Sequence, residues 1–118
     1  MSESFERWIA LRRLSVADLP KYGEFPAVYA MRNSATGEIL KFGKSSWLRT
    51  RIFGQYLGGY DGKRRRTHRE LFENQMIDRV ELAWVETKDD AEACRKEKEF
   101  REAYKKANGK RPKWDLRD

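Results

Sequence analysis

The sequence has a single cysteine, Cys94, which excludes an internal disulfide framework and a cysteine-rich zinc site. No apolar run approaches the roughly 20 residues that a membrane-spanning helix requires. The opening residues, MSESFERW, contain no signal-peptide hydrophobic core. Membrane insertion and secretion are therefore not expected, and a cytoplasmic, intracellular location is. Internal repeats and low-complexity stretches are also missing, so the 118 residues are read as one domain, 1–118. Charge is abundant: 38% of residues are charged and mean hydropathy is −0.94. That composition would favour disorder if aromatics were scarce, but four Trp, five Tyr and six Phe can build a thin core under a polar surface.

The net charge of +7 is unevenly placed. Residues 1–40 are neutral, 41–69 carry +8 and 70–118 carry −1. A solvated face normally mixes signs. The central window instead interleaves its cations with Phe42, Trp47, Phe53, Tyr56 and Tyr60, a combination suited to a polyanion and above all to nucleic acid. The run Lys63–Arg66 alone is equally consistent with a solubilising loop.

Along the chain, Phe5, Trp8, Ile9, Leu11 and Leu14 read as a short amphipathic element, and Ser15 with Asp18 as a capping box. Ala27–Arg32 and Glu38–Gly43 have strand character around the turn-forming stretch Asn33–Gly37, which predicts a β-hairpin. Ser45 or Ser46 can cap a helix in which Leu48, Ile52 and Tyr56 recur every fourth residue, with Gly58–Gly59 ending it. Thr67 and Glu70 suggest a second cap, before Leu71, Phe72 and Met76. Val80, Leu82 and Trp84 alternate as in a half-buried strand, and Thr87 with Asp90 opens a long helix running to about Gly109. The expected fold class is α+β: a small three-stranded antiparallel sheet flanked by helices.

Two positions break the pattern. The last helix has an apolar stripe of Ala93, Phe100, Tyr104 and Ala107, and Glu97 falls on it. A buried carboxylate must be paired with a cation, ligate a metal or face a cleft. In the hairpin, pairing Arg32 with Glu38 would set Met31 opposite Ile39 and Tyr29 opposite Lys41. An ammonium beside a phenol favours phenolate, which would make Tyr29 a usable base. A core tyrosine with a wet hydroxyl and a snorkelling lysine is the plainer reading.

Taken together, these segments resemble the GIY-YIG nuclease superfamily. Ala27-Val28-Tyr29 stands where GIY would be and Lys41-Phe42-Gly43 where YIG would be, eleven residues apart. The run from Gly43 through Ser45 and Leu48 to Arg51 is similar to the family's Gly-x-Ser/Thr-x-x-Leu-x-x-Arg pattern. Ala93 and Glu97 match an alanine followed four residues later by the metal-binding glutamate. Pro112-Lys113-Trp114-Asp115 resembles the closing Pro-x-Tyr/Phe-Asn motif. The departures are Ala27 for Gly, Lys41 for the second tyrosine, Asp115 for Asn, and Gln55 where some members carry histidine or tyrosine. The resemblance covers about 26–115, leaving 1–25 as a short N-terminal extension, and implies a GIY-YIG-like α/β sandwich.

It also implies an activity: a Mg²⁺-dependent (or Mn²⁺-dependent) DNA endonuclease with a single-metal site. Tyr29 with Lys41 would be the base, Arg51 would hold the phosphate oxygens, and Glu97 would be both catalytic and the metal ligand, with His68 a further catalytic candidate. Lys44, Arg49, Lys63, Arg64, Arg65, Arg66 and Arg69 are the expected phosphate contacts. DNA is the expected partner, with RNA also compatible; no membrane partner is expected. The protein would be a monomer or homodimer, and cutting both strands would need the dimer, since one site cuts one strand at a time. The alternative is a catalytically inactive nucleic-acid-binding module of the same fold. A third reading is a basic protein-interaction domain using Trp8 and Trp47 on an acidic partner.

Overall fold

Asn33 organises the hairpin at the centre of the sheet. Its side-chain Oδ1 accepts the N–H of Ala35 at 2.8 Å and of Thr36 at 3.2 Å, and its carbonyl accepts the N–H of Gly37 at 2.8 Å. Gly37 takes φ 78°, the left-handed conformation that glycine adopts without a Cβ penalty. This turn joins strand β2 (Ala27–Asn33) to β3 (Ile39–Ser45) in the computed structural model, which describes residues 5, 7–18, 25–56, 71 and 75–114, with backbone only at 16 and 54–56.

Among the described residues the sheet has four antiparallel strands in the order β1-β4-β2-β3, where β1 is Ile9–Ala10 and β4 is Val80–Glu86. The expected three strands are thus joined by a fourth. Ile9 and Ala10, part of the predicted amphipathic element, pair with Leu82 and Glu81 instead. Tight helical turns at Leu11–Arg13 and Val16–Asp18 follow, and Asp18 accepts the Ser15 N–H at 2.8 Å, as the capping-box pattern predicts.

One face of the sheet carries Ala27, Tyr29, Met31, Val80 and Leu82. They form a single buried core with Leu11, Leu14, Phe25, Leu48, Ile52, Leu71 and Trp114. The opposite face carries Phe42 and is covered by helix α1 (Asp90–Asn108), where Phe42 lies 5.8 Å from Phe100 and 6.1 Å from Tyr104. Phe42 is therefore a packing residue and not a surface aromatic among the cations. The cap of α1 is Asp89, not Thr87: Asp89 accepts the Glu92 N–H at 2.8 Å, while the buried Thr87 hydroxyl donates to the Asp89 carbonyl at 3.0 Å. Gly109, at φ 75°, closes the helix where expected. Of the predicted stripe, Ala93 is fully buried, Phe100 and Tyr104 are half-buried, and Ala107 is exposed beyond the sheet.

Candidate functional site

The hairpin register differs from the expected one by two residues, one at the turn and one at a bulge. Arg32 pairs with Ile39 and Met31 with Lys41, leaving Leu40 as the extra residue. Tyr29 consequently lies opposite Gly43, not Lys41. Side chains alternate along a strand, so Tyr29, Met31 and Lys41 still share the core-bearing face. Both candidates are buried, Tyr29 at 2% and Lys41 at 5% exposure.

Gly43 explains how Tyr29 fits. A Cβ at position 43 would lie 2.9 Å from Tyr29 Cε2 and closer still to Cζ and the hydroxyl oxygen. The phenol is therefore laid across the backbone of β3, and its hydroxyl end sits over the outermost strand of the sheet. No left-handed φ is needed at Gly43, so this glycine is required for space alone.

Just beyond β3 the Ser45 hydroxyl accepts the Trp47 N–H at 3.0 Å, opening the helical stretch that bears Arg51. The Arg51 N–H donates to the Trp47 carbonyl at 2.9 Å. From Thr50 to Tyr56 the stretch winds as a π-helix, not the regular α-helix that the four-residue spacing predicts. Leu48 and Ile52, both fully buried, tie it to the face shared by Tyr29 and Lys41. Arg51 sits half-buried between these two anchors. Arg49 and Lys44 are also half-buried, and Lys44 is on the α1 face of β3.

Glu97 comes from α1, on the other side of the sheet. Its side chain is 14% exposed and accepts from Arg101 at 3.1 Å; Arg101 also reaches the Phe42 carbonyl at 3.4 Å. The Leu40 carbonyl in turn accepts the Trp114 N–H at 2.6 Å. Two carbonyls, two residues apart on the edge strand, are thus covered by Trp114 and Arg101. Tyr29 and Lys41 lie on one face with the segment bearing Arg51, and Glu97 belongs to the other face. The edge of β3 near Gly43 is the place where the two faces meet.

Arg101 and Trp114 were not among the expected site residues. The four-residue spacing of Glu97 and Arg101 is the signal that could have identified the first. Trp114, 2% exposed, completes the core with the hydrophobic residue of the closing motif. Ser46 also binds Asp90 at 2.7 Å, joining the end of β3 to the start of α1. His68, Lys63, Arg64, Arg65, Arg66 and Arg69 lie outside the described residues, as do the cap at Thr67 and Asp115.

Among the described residues, no three His, Cys, Asp or Glu side chains group together. Glu97 is the expected metal ligand that the structure brings to β3, through its partner Arg101. One carboxylate suits Mg²⁺, which keeps several waters and takes its other ligands from substrate oxygens. On the same helix, the Tyr104 hydroxyl is held above the ordinary tyrosine pKa, first by burial and second by the charge of Glu38. No family model matches the chain, and no curated protein or solved structure matches it.

Proposed function

We propose that this protein is a metal-dependent DNA endonuclease whose site is built at the outer edge of β3. One observation carries the reading: the Tyr29 phenol crosses Gly43 on the strand whose carbonyl edge is reached by the Glu97–Arg101 pair. Phosphodiester hydrolysis requires a base for water, a cation for the pentavalent phosphorus and stabilisation of the leaving oxygen. Tyr29 would take the proton from the attacking water, with the Lys41 ammonium on the same face balancing the charge left on the phenol. Arg51 would hold the phosphate oxygens with its forked guanidinium. Glu97 would hold the divalent cation, which when bound supplies positive charge to the leaving oxygen. The basic window 41–69 would carry the DNA backbone.

A binding module without catalysis is the second reading. It is favoured by the burial of Tyr29 and Lys41 and by the Glu97–Arg101 ion pair, which give all three residues structural work. Supercoiled plasmid separates the two. The nuclease converts it to open circles with Mg²⁺, stops on EDTA, and loses about 10²–10³-fold in rate in Arg51→Ala and Glu97→Gln while circular dichroism is unchanged. Plasmid that stays intact with Mg²⁺ and Mn²⁺, but is retarded in gels equally by wild type and Glu97→Gln, supports the binding module and overturns the enzyme.

A further inference from the structure

We infer that Trp47 is a base-stacking residue: its indole takes the face of an unpaired nucleobase while Arg51, one turn on, takes the adjoining phosphate. The inference rests on the nuclease reading and deepens it, because it makes single-stranded or locally unpaired DNA the preferred substrate.

Trp47 is 65% exposed, the one large hydrophobic side chain so exposed among the described residues. The other tryptophans have evident structural work. Trp114 is buried in the core, Trp84 packs against it, and Trp8 stacks on the Arg32 guanidinium at 4.2 Å. The backbone of Trp47 is nevertheless firmly held. Its N–H is bound by the Ser45 hydroxyl, its carbonyl by the Arg51 N–H, and the next residue, Leu48, is fully buried. An exposed indole on an anchored backbone is a preorganised platform, which loses little conformational freedom on binding.

The bond from Arg51 to Trp47 closes one backbone turn, so the exposed indole and the half-buried Arg51 arise from the two ends of the same turn. A flat apolar surface next to a forked cation matches a nucleobase and its phosphate, and the pair lies in the window that carries the whole cationic excess. A second copy of the chain is a poorer occupant. One tryptophan buries about 150–250 Å², whereas a stable interface takes roughly 800 Å² from each partner. Bases in an intact duplex have both faces covered by neighbours, so stacking on Trp47 requires a base that is unpaired or turned out of the helix.

The test is a fluorescence titration of the full chain with a short oligothymidylate and with a duplex of equal length, for wild type, Trp47→Ala and Trp47→Phe. Stacking predicts quenching by the oligothymidylate and a roughly 5- to 150-fold loss of single-strand affinity in Trp47→Ala. Trp47→Phe should recover most of that affinity. The salt dependence should be unchanged, since no phosphate contact is lost. Equal single-strand binding by wild type and Trp47→Ala overturns the inference while leaving the plasmid assay, and so the nuclease reading, intact. An equal loss for single strand and duplex also overturns it, as does a dimer in light scattering that Trp47→Ala dissociates. A chain that binds neither DNA overturns both the inference and the nuclease reading.

Discussion

Replacing Gly43 by alanine adds one methyl group and tests the geometry at the centre of the site. In a β-strand away from contacts, this exchange stabilises by about 0.5–1 kcal/mol, because glycine loses more backbone freedom on folding. Here the new Cβ would lie 2.9 Å from Tyr29 Cε2 and nearer to the hydroxyl end of a ring that is itself 2% exposed. The ring is rigid and enclosed by the core, so it must be displaced, at a cost of about 1–3 kcal/mol for overpacking. The net expectation is a loss of about 1–2 kcal/mol, or a melting temperature lower by roughly 3–10 °C in a domain of this size. Thermal unfolding followed by circular dichroism measures it, and the background of Tyr29→Leu isolates the cause. There Gly43→Ala should become neutral or stabilising, giving a coupling energy of the same 1–3 kcal/mol. If Gly43→Ala is as stable as wild type, or if its cost persists without the phenol, Tyr29 does not cross β3 at this position.

Trp114→Ala removes the largest fully buried side chain and should cost about 3–5 kcal/mol in urea unfolding; a change below 1 kcal/mol would mean that the closing segment is not part of the core. Arg32→Ala removes both the 2.8 Å bond to Glu81 and the stack on Trp8, so a loss of about 1–2 kcal/mol is expected, and equal melting curves would contradict it. Tyr104 has its hydroxyl pKa raised by folding, so its contribution to stability is present below the unfolded value near 10 and lost as pH climbs through the raised one. Tyr104→Phe should therefore flatten the fall in stability above about pH 10, and parallel curves of stability against pH would count against that.

Strong local signals made much of this architecture legible in the sequence. The Asn33–Gly37 turn, the alternation of Val80 and Leu82, and the Gly109 stop all act through neighbouring residues, and each appears where expected. The failures came where distant partners decide. Ile9 and Ala10 are a strand only because β4 offers them an edge. A one-residue offset at the turn, where Arg32 meets Ile39 and not Glu38, and the bulge at Leu40 together shift Tyr29 from Lys41 to Gly43, and no short-range pattern announces an extra residue. At the site, periodicity alone singled out Glu97. The ion pair with Arg101 was open to the same argument, because the two stand one helical turn apart. That Tyr29 and Glu97 approach β3 from opposite faces follows from layer order, which a linear reading does not contain.

The most direct test of the proposed site is anomalous scattering from Mn²⁺ in crystals of the protein with a short DNA. The nuclease account predicts one manganese peak about 2.0–2.2 Å from a Glu97 carboxylate oxygen, with Arg51 on the neighbouring phosphate and Tyr29 facing it across β3. A complex with DNA on the basic face, no manganese at Glu97 and the Glu97–Arg101 pair intact would contradict it.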